Sequence, residues 1–467
     1  MAVTEAAPLE LGTRKISSLL KMYAVPGIIA QTAASLYNMV DSIYIGHLKD
    51  VGSYAISGLA VTFPLMNLSS ALGTLVGVGG MTLISVLLGQ KNYDNAKKVL
   101  SNVLSLNIIF GLLFSVVALA FLEPILYFFG ASENTMPFAK DYMIIILLGN
   151  VVTHLYFGLN GVIRASGNPK TAMGLTLFTV ISNAVLDPIF IFGFGMGVRG
   201  AALATVLCQL MSLCYSFRFF MNRERFLHFP KPLFQLNWRI ARSSLAIGLG
   251  PFLMNAAACL VSMFINQQLR TYGGDLAIGA YGIVNRITFL FLMIVMGLNQ
   301  GMQPIAGYNY GARQYHRVRE VFLLTVKWAT LATTLCFIAS EIFPEAAVGI
   351  FTADPILKDL SVRGLRVANL IIPFVGFCMV SGTLFQCLGM VKISIFLSLS
   401  RQIIFLLPLL YTLPLLWEDK GVWLSFPISD GISVLVTLFF VLRLFRRFNR
   451  LSDGEDASSL GSSISNS

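Results

Sequence analysis

The chain has 467 residues, of which 56% are hydrophobic and 12% charged, against the roughly 25% charged residues of soluble globular domains. That balance excludes a soluble globular protein and specifies an all-α polytopic membrane protein, because backbone groups in lipid must pair within their own segment. The net charge of +11 is not a nucleic-acid footprint, since it sorts by membrane side.

Twelve spans are predicted, at 22–46, 54–82, 99–122, 142–163, 171–193 and 200–217, then at 243–269, 276–302, 321–343, 367–389, 393–415 and 421–442. Windows without Asp, Glu, Lys or Arg, such as Val99–Leu122 and Ser243–Leu269, exceed the ~20 residues a helix needs to cross. The first apolar stretch is too long for a cleaved signal, and no small-residue cleavage site follows it. With the N-terminus inside, 22 Lys and Arg fall on the inner side and eight on the outer. This bias predicts both termini in the cytoplasm.

The chain therefore divides into a cytoplasmic N-terminus (1–21), a first lobe (22–217), a basic linker (218–242), a second lobe (243–442) and a cytoplasmic tail (443–467). From Leu451 the tail is Ser-rich and reads as disordered. The halves repeat at an offset of about 222 residues. Gly80–Met81 match Gly301–Met302; Gly89, Lys91 and Tyr93 match Gly311, Arg313 and Tyr315; Gly167 and Lys170 match Gly389 and Lys392. Pro26 and Pro251 occupy matching places in the first and seventh spans. Six spans per half give both halves one orientation. The expected architecture is two six-helix lobes related by a pseudo-two-fold along the membrane normal, a transporter arrangement.

Polar residues interrupt the spans sparsely. Asp41, the only charge between Met22 and Gly46, shares a helix face with Tyr37 and Tyr44. An ionised carboxylate there costs at least ~2.5–3.5 kcal/mol. In the fifth span Asn183 and Asp187 stand four apart, and Pro188 frees the carbonyl of Ala184 beside them. At 1.5 Å per residue, Asp187, Asp41 and Thr205 lie roughly 24, 28 and 22 Å from the inner side, one level in the outer half. Such a cluster suits a proton or a bound cation, either of which relieves the cost of burying the charge. The repeat positions of Asp41 and Asp187 hold Asn266 and Leu409, so the acids belong to the first lobe alone. The second lobe carries Arg286, Arg401 and Asp430, with Arg401 and Asp430 both near the midplane and expected to form a structural ion pair.

No cofactor or metal centre is expected. The six cysteines lie in apolar segments without a CxxC, and the four histidines are scattered. “GVGG” (77–80) has neither a preceding strand nor a following GK[ST], and is read as close helix packing.

“LYNMVDSIYIGHL” (36–48), “RASGNPKTAM” (164–173), “SNAVLDPIFIFGFGMGVRGAALAT” (182–205) and “GMQPIAGYNYGA” (301–312) resemble the MATE (multidrug and toxic compound extrusion) transporters, most closely the MepA-like bacterial branch. The resemblance covers both halves. It implies export of cationic amphiphilic drugs by alternating access, driven by inward H⁺ or Na⁺, by a monomer in the bacterial cytoplasmic membrane. It implies a coupling-cation cluster at Asp41, Asn183, Asp187 and Thr205 and a helix bend at Pro26. Tyr142 and Asn160 match the family's fourth-helix Tyr and Asn and, with Tyr37, are the candidates for the substrate cavity. NorM-type members carry acids on the seventh and tenth helices; this chain has none there, which favours the first-lobe cluster.

Two other classes fit less well. A flippase for a lipid-linked precursor would suit Arg286 and Arg401, but such proteins often have fourteen spans and a strongly cationic cavity. An intramembrane aspartyl protease needs YD and GxGD motifs, and neither is present at Asp41 or in “GFGMG”.

Overall fold

The computed structural model describes the chain at residues 10–46, 52–351 and 354–449, and the side chains of all of these except 36–43, 46, 52–54, 56, 57, 60 and 275. Among the described residues the structure is helical, with no strand. In chain order the main helices are α1 (Ile16–Gly46), α2 (Gly52–Gly89), α3 (Tyr93–Ala120), α4 (Met136–Leu148), α5 (Asn150–Ala165), α6 (Pro169–Pro188) and α7 (Val198–Met221). The second half supplies α8 (Trp238–Gly274), α9 (Leu276–Gly311), α10 (Tyr315–Ile342), α11 (Pro355–Ala368), α12 (Ile372–Cys387), α13 (Val391–Thr412) and α14 (Pro414–Phe448). Among the described residues, nine helices are individually long and apolar enough to cross a bilayer, and α4–α5 and α11–α12 do so as bent pairs. With the 31 residues of α1, about 46 Å long, these account for the twelve spans.

The fourth and tenth spans are not continuous helices. Each is two helices, bent by 55° and 56°. The bends fall at Gly149 and around Ile371, corresponding places in the repeat. A methyl group on Gly149 would meet Val206 at 2.5 Å, so glycine is what lets α7 close on the first bend. Ser115 donates to Leu147 O (2.6 Å), and Asn150 donates to Gly111 O (3.3 Å) while accepting from Ser69 (2.6 Å). At the second bend Asn369 accepts from Thr288 (3.0 Å) and donates to Ser340 (2.9 Å). Side chains thus satisfy polar groups where the apolar span is interrupted, as lipid burial requires.

The turns of the repeat also correspond. Lys91 and Arg313 both adopt positive φ (59° and 58°). In one turn Gln90, Lys91 and Asn92 donate to Val86, Leu88 and Leu87; in the other Ala312, Arg313 and Gln314 donate to Tyr308, Tyr310 and Asn309.

The chain forms two compact units. Among the described residues, one comprises 10–13 and 29–252, the other 14–28 and 253–449. Each unit therefore includes the start of the other half's first helix, and the chain changes unit just after Pro26 and just after Pro251. Within the second unit, α1 lies so close to α9 that a methyl on Gly27 would sit 2.8 Å from Gly297 O, and one on Gly301 2.6 Å from Ala24 Cα. Within the first unit, a methyl on Gly248 would sit 1.8 Å from Leu75 O, and one on Gly79 1.9 Å from Ser244 O. The “GVGG” glycines are thus places where helices close up, Gly77 against Gly158 and Gly80 against Val103.

Candidate cation site

α6 starts with Pro169 in its first turn, where the missing N–H costs nothing. Four turns on, Asn183 and Asp187 present side chains on one face, and both are 0% exposed. Pro188 ends the α-helical ladder, and the backbone continues as a π-helical turn, Ile189–Gly193. Phe194 N–H closes it on Ile189 O at 2.9 Å. Such turns recur at functional sites. α7 then folds back on this turn; a methyl on Gly200 would lie 2.7 Å from the Phe190 carbonyl carbon, so α7 and the π-helical turn are nearly in backbone contact.

This return brings Thr205 to Asn183. The Thr205 hydroxyl donates to Ala201 O (3.0 Å), so towards Asn183 it offers a lone pair, which accepts from Asn183 Nδ2 at 3.4 Å. Asn183 Oδ1, fully buried, has no hydrogen-bond partner among the described residues. A buried acceptor left open costs about 1–3 kcal/mol. The site therefore offers an amide carbonyl and a hydroxyl oxygen, with a buried carboxylate one turn further along α6. These are hard donors suited to a proton or an alkali cation. Among the described residues, no three or more His, Cys, Asp or Glu gather in a group that could hold a metal.

The side chains of Tyr37 and Asp41 lie outside the described residues. Tyr142 is buried and belongs to the same apolar cluster as Ile45, Ile191, Ala201 and Ala202. Asn160 is not brought to this group. It donates to Ala172 O (3.0 Å) and accepts from Arg164 (3.4 Å), and Ala172 lies three turns, about 16 Å, along α6 from Asn183. Pro26 is buried within α1.

A polar seam that carries no charge and that the family likeness does not mark continues from the site along the same two helices. Gln209, one turn beyond Thr205, accepts from Thr153 at 2.6 Å, and Thr179 pairs with Ser212 at 2.6 Å. The signal was present: Thr176, Thr179, Asn183 and Asp187 on α6, and Thr205, Gln209, Ser212 and Ser216 on α7, recur at helical spacing.

The second unit handles its charges differently. Arg401, in the π-helical turn Ser400–Leu406, donates from Nε to Asp430 Oδ1 at 2.7 Å, and Ser429 donates to Arg401 O at 2.8 Å. At the repeat offset Arg401 stands where Thr179 does, and Asp430 where Cys208 does. The helix pairs α6–α7 and α13–α14 thus both carry polar groups, as a carboxylate–amide–hydroxyl set in one and an ion pair in the other. Arg286 is exposed on α9 and makes no ion pair among the described residues.

The MatE family model matches twice, at residues 26–189 and 251–412, once in each half of the repeat. The multidrug export protein MepA of Staphylococcus aureus (strain N315) is 30% identical over 424 residues, covering 90% of this chain and 92% of that protein. MepA of Staphylococcus haemolyticus (strain JCSC1435) is 28% identical over 427 residues, covering 91% and 93%. Among solved structures, the MATE multidrug transporter DinF-BH, solved as a complex with a ligand, superposes with a TM-score of 0.87 at 35% identity, covering 94% of this chain and 98% of that one. An outward-facing MATE family transporter of the MOP superfamily shares the fold at a TM-score of 0.88 with 22% identity, covering 94% and 98%. The chain belongs to the MatE family, whose members are multi-span membrane transporters and not enzymes.

Proposed function

We propose that the protein is a cation-coupled antiporter that exports cationic amphiphilic compounds by alternating access, exchanging them for H⁺ or Na⁺ at Asp41, Asn183, Asp187 and Thr205. The observation that carries this reading is the pair Asn183 and Asp187. Both are completely buried on one face of α6, and the Asn183 carbonyl is open among the described residues. Each net charge moved inward down 100 mV supplies ~2.3 kcal/mol, a roughly fifty-fold gradient. One-for-one exchange with a monocationic substrate is electroneutral and draws on the ion's concentration gradient alone, so the potential contributes only when more than one ion enters per cation exported. In the proposed cycle, cation arrival from outside releases the drug outward. Loss of the cation to the inside then readies the site for new drug. The protein would work as a monomer in the bacterial cytoplasmic membrane, with both termini in the cytoplasm. Relatives named for multidrug export and a structural neighbour named as a multidrug transporter support the drug side of this reading.

Export of a lipid-linked anionic precursor is the second reading. It needs free cationic side chains, and the Arg401–Asp430 contact neutralises one of the two intramembrane arginines that would serve it. The test is ethidium efflux from proteoliposomes under an imposed pH or Na⁺ gradient, for the wild type and for Asp41→Asn. Efflux driven by one gradient and lost in the variant supports antiport and identifies the ion. No efflux under either gradient overturns the reading.

A further inference from the structure

The segment 222–237, which joins α7 to α8, is pinned to α3 rather than free. Ser101 donates to Leu233 O (2.6 Å) and accepts from Gln235 N–H (2.9 Å), and Asn102 Oδ1 accepts from Asn237 N–H (3.0 Å). Upstream, Phe229 N–H donates to Phe220 O (3.0 Å), and its ring packs on Phe217 and Phe220.

These pins fix the height of the strap. α3 is 28 residues long, about 42 Å, so it overshoots a ~30 Å hydrocarbon core. Its last charged residues are Lys97 and Lys98, and its uncharged run begins at Val99. Ser101 and Asn102 therefore hold residues 233–237 within a turn of the point where α3 enters hydrocarbon. Leu233 and Gln235 are partly covered, whereas Phe234 and Leu236 are 60% and 48% exposed, and Trp238 is 69% exposed. Three large apolar side chains thus face outward at the depth where aromatic residues favour the bilayer interface. Between Arg225 and Arg242 there is no acid. Lys231, Arg239 and Arg242 are exposed beside the apolar edge and form no ion pair among the described residues.

We propose that this strap is an interfacial anchor. It seats Phe234, Leu236 and Trp238 at the boundary between headgroups and acyl chains, and holds anionic phospholipid headgroups with Lys231, Arg239 and Arg242. The apolar edge supplies insertion and the basic residues supply lipid selectivity, the two-part logic of surface-bound segments. Anionic lipid is the occupant that matches both the sign of the charge and the fixed depth. The inference does not depend on what the protein transports.

The test uses the full-length protein in liposomes of phosphatidylcholine, with or without phosphatidylglycerol. The difference in emission between wild type and Trp238→Phe isolates Trp238; the replacement is conservative and exposed, and unchanged elution confirms its fold. Lipids brominated near the glycerol end of the acyl chain should quench this component at least about twofold more than lipids brominated near the methyl end. Aqueous iodide should quench it weakly. Phosphatidylglycerol should lower access of the neutral aqueous quencher acrylamide, which the surface potential does not repel, and the triple variant Lys231→Gln, Arg239→Gln, Arg242→Gln should lose that effect. A Trp238 quenched by iodide and untouched by brominated lipid overturns the anchor. One that neither agent quenches is covered by protein and overturns it equally. Shallow lipid quenching that ignores phosphatidylglycerol overturns the headgroup assignment.

Discussion

Asn183 and Thr205 meet across α6 and α7 with 3.4 Å between amide nitrogen and hydroxyl oxygen, and among the described residues the fully buried amide carbonyl of Asn183 has no hydrogen-bond partner. A helix pair held for stability alone gains nothing from such an atom. A site that takes up and releases a cation gains an oxygen that is already desolvated.

Asn183→Leu separates these two roles. Leucine removes the open carbonyl together with the long 3.4 Å bond to Thr205, whose hydroxyl keeps its bond to Ala201 O, so stability is expected to change by less than about 1 kcal/mol. Gradient-driven efflux should fall by at least about tenfold, the equivalent of one lost interaction near 1.4 kcal/mol. Melting curves and proteoliposome efflux on the same preparation check both halves.

The Arg401–Asp430 pair predicts the opposite pattern. Asp430→Asn strands a guanidinium whose side chain is 34% exposed, so the loss should be about 2 kcal/mol, below the ~3–5 of a fully buried broken pair. Arg401→Met combined with Asp430→Leu should recover most of it, because hydrophobic replacements avoid the desolvation of both charges. A double-mutant cycle on thermal unfolding in detergent measures the coupling.

Two glycines test the helix crossings. Gly248→Ala drives a methyl to 1.8 Å from Leu75 O and should cost roughly 1–3 kcal/mol or more through overpacking. Gly174, helical and with no atom within 4 Å of an added Cβ, should gain about 0.5–1 kcal/mol on replacement by Ala. Melting temperatures moving in opposite directions are the expected result.

The duplicated turns give a paired prediction. Lys91 and Arg313 hold positive φ, a conformation that costs a non-glycine residue about 1–2 kcal/mol. Lys91→Gly and Arg313→Gly should each stabilise the fold by about 1 kcal/mol, and by similar amounts, since the hydrogen bonds of the two turns correspond. Differential scanning fluorimetry on the single and double variants checks equality and additivity.

Much of this molecule was legible in the sequence because lipid leaves few options. Long uncharged runs became spanning helices, and the match of Lys91 to Arg313 reappears as one backbone conformation used twice. Asn183 and Asp187 shared a face because four residues make about one turn, and Thr205 stood at their level by its depth in the sixth span as well as by family likeness. The bends at Gly149 and near Asn369 were not legible, since both spans stay apolar through the break and only packing on Val206 or hydrogen bonding to Thr288 and Ser340 shows it. Asn160 carried a family likeness as a cavity position; it donates to Ala172 O on α6 and accepts from Arg164 one turn along its own helix. Residues 218–242 had the composition of a linker, and composition says nothing of the bonds from Ser101 and Asn102 that strap them down.

Exchange is the core of the proposed cycle, and exchange is reciprocal. The most direct measurement is therefore the reverse flux: a gradient of ethidium imposed across proteoliposomes, with internal pH and Na⁺ followed and no ion gradient applied. The account predicts that one of the two ions moves against the direction of ethidium, and that Asp187→Asn abolishes this movement in protein that elutes normally. Ethidium moving with neither ion displaced, or an ion flux undiminished in Asp187→Asn, would contradict it.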